Sequence, residues 1–300
     1  MIILIAFSLI TSVFAQTSSH EVIEHGKYMA QVSGCLNCHT ADRNTPLAGG
    51  VKISTDFGTF YAPNISSDPL FGIGKWSDKD FLKAVKRGLS PKNQYYYPAF
   101  PFSAYTKMSD SDVLAIRAYL NSLAPQAVAS KPHEVAFPYN QRRLMFFWRQ
   151  LNFKTKHLTA GEVRTFKYQG EFRPKLTRSR KWNRGAYLVE AAFHCTECHT
   201  PRNKLGGLRT SQWMAGAVFD GKEVAGNITP DRETGLGKWT TEDWELFLTV
   251  GETPEGDQVT GDMYKVVRAG TAKLTTEDRE SLIEYLQNFK SVHRTTEKPK

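Results

Sequence analysis

The pentapeptides Cys35-Leu36-Asn37-Cys38-His39 and Cys195-Thr196-Glu197-Cys198-His199 use all four cysteines of the 300-residue chain. Two thiols spaced by two residues, with a histidine directly after, suit the edge of a porphyrin. Each sulfur adds across one vinyl group of a haem, and the histidine reaches the iron from the same short helical turn. Each copy therefore predicts one covalent haem c with its iron, held by Cys35, Cys38 and His39 in one place and by Cys195, Cys198 and His199 in the other. Other chemistries use the same residue types. A lone Cys-x-x-Cys is often a zinc half-site or a redox dithiol, but zinc modules seldom repeat Cys-x-x-Cys-His at so wide a separation. A dithiol has no need of the trailing histidine twice.

Three hundred residues suit two domains of ordinary size, each able to bury a core. Residues 1–15 are almost wholly apolar and end Val13-Phe14-Ala15 before Gln16. This is the pattern of a secretory signal peptide, although its start lacks the usual lysine or arginine. A retained membrane anchor is the other reading, but crossing a bilayer takes about twenty apolar residues, more than this stretch offers. Covalent haem attachment in bacteria takes place outside the cytoplasm, so signal and motif agree on a periplasmic protein. The formal net charge of +9 counts polypeptide alone, and two propionates per haem offset part of it. A basic surface steers acidic partners and also touches anionic lipid, so peripheral membrane contact stays open. No nucleic-acid recognition motif is visible, and nucleic acid is not an expected partner.

Aligned on the haem motifs, the chain repeats itself. Gly26-Lys27-Tyr28-Met29-Ala30 answers Gly185-Ala186-Tyr187-Leu188-Val189, and Pro63-Asn64-Ile65-Ser66 answers Gly226-Asn227-Ile228-Thr229. Gly72-Ile73-Gly74-Lys75-Trp76 answers Gly235-Leu236-Gly237-Lys238-Trp239. Ser77-x-x-Asp80 and Thr240-x-x-Asp243 read as capping boxes opening a middle helix. Ser109-x-x-Asp112 and Thr275-x-x-Asp278 open a closing helix. The expected architecture is mainly α, with a first domain over 16–124, a bridging segment over 125–182 and a second domain over 183–300. The order of helices resembles the class I cytochrome c fold. In that fold the first and last helices cross closely, which Gly26, Ala30 and Gly185 permit and which Tyr119 and Tyr285 fill.

The bridging segment matches neither repeat. Arg142 to Phe153 predicts a short helix with Leu144, Phe147, Trp148 and Leu151 on one face, at i, i+3, i+4, i+7 spacing. Its apolar composition predicts packing against both haem domains, with a docking or membrane-contact face as the alternative. Lys154 to Lys181 is polar, basic and irregular.

With these residues in view, the chain resembles the cytochrome c subunits of periplasmic alcohol and gluconate dehydrogenases, and the haem partners of molybdenum hydroxylases such as nicotinate dehydrogenases. The likeness runs through Ala48-Gly49-Gly50, Phe57-Gly58-Thr59, Tyr97-Pro98-Ala99, Phe137-Pro138-Tyr139-Asn140 and Met263-Tyr264-Lys265-Val266-Val267. Two haem motifs stand here, where the alcohol dehydrogenase subunits have three. The resemblance implies a methionine as sixth iron ligand in the loop before the last helix, and Met263 holds that position for the second haem. For the first, the family words Tyr-Pro-Ala-Met-Pro read Tyr97-Pro98-Ala99-Phe100-Pro101, and a hydrocarbon ring replaces the thioether. Met108 is the methionine left in that loop. It is the expected ligand, with a core or staple role as its rival, because its repeat partner is Leu274. Asn64, Asn227, Trp76 and Trp239 are either donors to buried propionates or residues that fix a turn and fill the core.

The expected function is electron transfer. The protein takes electrons singly from a periplasmic dehydrogenase and relays them to a small cytochrome, an oxidase or a quinone, with no catalytic residues of its own. The rival reading is a haem enzyme or a gas-binding sensor that uses an open first haem.

Overall fold

The computed structural model describes residues 19–153, 170–219 and 222–294, and the expected signal peptide at 1–15 lies outside them. The described chain is mainly helical. Helix α1 (19–32) runs to Gly34, whose φ of 68° turns the backbone sharply before the short motif helix α2 (Cys35–His39). A positive φ costs little at glycine because no Cβ meets the carbonyl. The antiparallel strands β1 (Lys52–Thr55) and β2 (Gly58–Tyr61) follow, then α3 (Asp78–Arg87), α4 (Phe102–Tyr105) and α5 (Asp110–Ser122). Next come β3 (Glu134–Val135), which adds to β2, and α6 (Met145–Asn152).

The second half repeats the order. Helix α7 (Arg180–Tyr187) runs into a π-helical turn over Leu188–Ala192 and reaches the second motif helix, α8 (Cys195–His199). Strands β4 (Ala217–Phe219) and β5 (Lys222–Ala225) pair, followed by α9 (Thr241–Val250), α10 (Gly261–Ala269) and α11 (Thr276–Asn288). Both expected capping boxes form: Ser77 with Asp80 on α3 and Thr240 with Asp243 on α9.

The close helix crossings are real in both halves. A Cβ added at Gly26 would stand 1.9 Å from the Ala115 carbonyl oxygen of α5, and one at Gly185 would stand 1.9 Å from the Ser281 oxygen of α11. Tyr285 is fully buried, and Tyr119 packs half-buried on the core.

The two halves meet reciprocally. Tyr28 of α1 donates to Asp278 of α11 at 2.6 Å, and its repeat partner Tyr187 of α7 donates to Asp112 of α5. Each aspartate is also held from its own half. Asp278 takes two 2.7 Å bonds from Arg184, and Asp112 lies 2.6 Å from the His25 ring. A buried polar triad crosses the same seam. Lys107 donates to Glu190 at 2.9 Å, and Tyr285 donates to the other carboxylate oxygen at 2.5 Å. Apolar side chains of both halves form one continuous core around these contacts.

Helix α6 forms where expected, but of the expected face only Trp148 packs, and the buried side is turned towards Arg149. Leu144, Phe147 and Leu151 are 40%, 63% and 61% exposed, whereas Arg149 is 7% and Phe153 3% exposed. The Arg149 guanidinium lies over the rings of Tyr95, Phe102 and Phe153 at 5.3, 5.2 and 4.7 Å. Planar cation and ring face attract each other once water is excluded, which lets an arginine take the inward place. Trp148, half-buried, sits edge-on to Phe102 at 6.3 Å and donates its indole N–H to the Leu205 carbonyl of the second half at 2.8 Å.

Candidate functional site

Each motif helix is one turn long and is fixed at its C-terminal end by backbone. Gly49 N–H donates to the His39 carbonyl at 2.8 Å, and Gly216 N–H does the same for His199 at 2.8 Å. The rings are braced in the same way. His39 Nδ1 lies 2.7 Å from the Pro63 carbonyl oxygen and His199 Nδ1 lies 2.8 Å from that of Gly226. A carbonyl only accepts, so Nδ1 carries the proton and the Nε2 lone pair is left for a metal. Burial holds both imidazoles below their usual pKa, and they are neutral, the form that ligates.

The cysteines form no disulfide. Burial, the largest cause, pushes the Cys35 and Cys195 thiols up to about 12 and Cys198 to about 11. Each half thus presents two protonated thiols and one braced neutral histidine within five residues, the donor set that a c-type haem requires. Among the described residues, no group of three or more His, Cys, Asp or Glu side chains converges as a metal cage. In the second half the buried Trp182 Nε1 and Trp244 Nε1 have no hydrogen-bond partner among the described residues. An unmet buried N–H costs about 1–3 kcal/mol.

Asn64 and Asn227 do not serve as free donors. Asn64 Nδ2 donates to the carbonyls of Gln126 and Val128, both at 2.8 Å, while its oxygen accepts from Ser66. Asn227 Nδ2 donates to Thr234 and to the Val292 carbonyl, both at 3.0 Å. Each asparagine follows the residue whose carbonyl braces a histidine, and ties that loop to the chain leaving the last helix. That is the turn-fixing role. Trp76 and Trp239 pack half-buried on the core.

Met108 is fully buried. Its sulfur lies 3.8 Å from the hydroxyl of Ser33, two residues before Cys35. Phe100 packs beside Tyr105 and Tyr96, with ring centres 5.5 and 6.0 Å away. Met263 is half-buried in the first turn of α10, between charges that reach both motifs. Burial is the largest cause that raises the Cys38 and Cys198 thiols; Asp262 adds to both, and Lys265 pulls Cys38 down. The two motif helices are neighbours. The His194 ring, directly before Cys195, reaches within 4.0 Å of where a Cβ on Gly34, directly before Cys35, would stand. It also lies edge-on to Tyr105 at 5.4 Å.

No protein-family model matches the chain. A di-haem c-type cytochrome of Cereibacter sphaeroides is 37% identical over 273 residues, covering 89% of this chain and 86% of that protein. The chain belongs to the di-haem c-type cytochromes. This cytochrome is also similar to a nicotinate dehydrogenase subunit of Pseudomonas putida, at 34% identity over 90% of the chain. The cytochrome c subunit of a Gluconobacter oxydans alcohol dehydrogenase (quinone) is 30% identical over 93% of it. The chain spans 22% of the first of these two proteins and 57% of the second. Among the described residues, no helix of the cytochrome is long and apolar enough to cross a membrane.

Glu190, His194 and the pair Tyr28/Tyr187 escaped the sequence reading. One signal was present: Gly26 precedes Cys35 by nine residues, whereas Gly185 precedes Cys195 by ten. The extra residue is absorbed by the π-helical turn that carries Glu190, and such turns gather at functional places.

Proposed function

We propose that this cytochrome is a periplasmic electron carrier with two covalent haem c groups, one in each of two tandem class I-like domains joined by the segment 125–182. It takes electrons singly from a dehydrogenase and passes them to a small cytochrome, an oxidase or a quinone. The observation that carries this reading is the duplicated brace, His39 on Pro63 and His199 on Gly226, beside paired free thiols. When bound, haem supplies iron that changes valence by one electron. The chain's own task is to fix the imidazoles through their Nδ1 protons; Met108 and Met263 are the residues that would supply sulfur to the two irons. A dehydrogenase as donor is supported by the names of the relatives, several of them cytochrome subunits of such complexes.

Phe100 favours a second reading, in which the first haem stays open and binds a small gas or reacts with peroxide. Intact mass and absorption spectra separate the cases. Two haems per chain, both low-spin and inert to carbon monoxide, are expected. An unmodified chain made in cells with working attachment machinery would sink the haem assignment. One high-spin haem that binds carbon monoxide would move the second reading ahead.

A further inference from the structure

The positive charge of the chain is concentrated in one stretch of its sequence. Twelve of its 39 lysines and arginines but two of its 30 acids lie between Arg142 and Lys181, so that stretch carries +10 and the rest of the chain −1. From Val135 to Gly161 there is no acidic residue at all. At the head of this stretch stands the exposed stripe of α6: Leu144, Phe147 and Leu151, one turn apart, with Phe146 beside Phe147 at 5.4 Å between ring centres. Leu205 of the second half, also exposed, flanks it, because its carbonyl receives the Trp148 indole. Large apolar side chains gathered on a surface mark something that covers them.

We propose that α6, with the turn before it, is the surface by which this protein lies on an anionic lipid bilayer. Leu144, Phe147 and Leu151 enter the headgroup region, and the exposed Arg143 meets the lipid phosphates. Neither part suffices alone. An eight-residue helix buries too little apolar surface for firm attachment, while basic residues near an anionic leaflet each add modestly, and the two together hold. The disposition of the arginines favours lipid over an acidic protein. Recognition of a fixed carboxylate pattern uses guanidinium forks aimed outward, but two of the three forks on α6 and the turn before it are already committed. Arg142 donates to the Tyr95 carbonyl at 3.0 Å and lies over Tyr97 at 4.8 Å, and Arg149 is buried among rings. What remains exposed beside the apolar stripe is Arg143, at the head of a stretch of sequence rich in positive charge, and an undirected charge suits a fluid surface. No residue of either haem motif takes part, so the inference stands apart from the electron-transfer reading.

The test is co-sedimentation of the haem-loaded chain with vesicles of phosphatidylcholine alone, and with vesicles of equal parts phosphatidylcholine and phosphatidylglycerol, at low and high salt. Binding is expected on the mixed vesicles only, and it should be lost at high salt. The double variant Phe147→Ser with Leu151→Ser should weaken binding by about tenfold, and Arg143→Gln by about fivefold. Visible spectrum and thermal midpoint should not move in either, because all three side chains face solvent. Equal binding to both vesicle types overturns the proposal, as does wild-type binding by the double variant. A shifted thermal midpoint would mean that the stripe packs inside the protein. A double variant that keeps its vesicle binding but loses electron uptake from a dehydrogenase would make this face a protein-docking surface.

Discussion

The proton on His39 Nδ1 is spoken for by a backbone carbonyl, and the opposite nitrogen owes its freedom to that bond. Backbone supplies the brace twice, so side-chain substitution at Pro63 or Gly226 removes no acceptor. The exposed question at residue scale is the sulfur side. Met108→Leu and Met263→Leu keep most of the bulk, so packing loss should stay below about 1.5 kcal/mol. Each should abolish the red-edge sulfur-to-iron absorption of one haem, lower that haem's potential and open it to carbon monoxide. A Met108→Leu spectrum identical to wild type would leave the Ser33 contact as that residue's whole role. Gly26→Ala tests packing alone: with a carbonyl oxygen 1.9 Å from the new carbon, helices α1 and α5 must part. A loss of about 3 kcal/mol is expected in urea unfolding, and a loss under about 0.5 kcal/mol would show that the crossing yields. These glycines, the caps and the motif residues were legible in sequence because each obeys a rule confined to a few neighbours. The reading missed Asp112 and Asp278 as tertiary partners. An aspartate at the third position of a helix looks complete as local capping chemistry, and nothing nearby announces a tyrosine from the other half.

Among the elements, α7 and α6 depart most from their expected forms. The π-helical turn brings Glu190 to Lys107 and Tyr285 at a buried seam. Removing one partner of such a pair leaves a buried charge, so Glu190→Ala should cost about 3–5 kcal/mol. Lys107→Met combined with Glu190→Ala should cost much less than the sum of the two single losses, which a double-mutant cycle measures. Additive losses would show that the pair does not interact. For α6 the periodicity was legible but its direction was not. A hydrophobic stripe says that one face differs from the rest, and only the neighbouring elements decide which face they cover. Here the rings of Tyr95, Phe102 and Phe153 gather around an arginine, and the phenylalanine expected inside points out. Phe153→Ala should therefore destabilise by about 3–5 kcal/mol, with Phe147→Ala within about 0.5 kcal/mol of wild type. The reverse ranking in thermal unfolding would restore the packed stripe.

At the level of the whole molecule, the continuous core predicts one cooperative unfolding transition rather than two. Its acid limb has a named contributor. Burial raises the Asp278 carboxyl, but hydrogen bonds from Arg184 and Tyr28 outweigh it and leave the pKa below the ordinary aspartate value. A value depressed in the folded state stabilises fully above the unfolded aspartate pKa, and the gain is lost as pH falls through the folded one. Asp278→Asn should thus lower the urea midpoint at neutral pH and change it little in strong acid. An equal loss at both would assign the effect to geometry. The reciprocal placement of Tyr28 and Tyr187 has one more consequence. Each tyrosine is satisfied by an aspartate from the other half, whichever molecule that half belongs to. Two chains at high concentration can therefore trade halves and leave every one of these contacts intact. Concentrated protein refolded from urea should contain a slowly interconverting, entwined dimer with the spectrum of the monomer, separable by gel filtration.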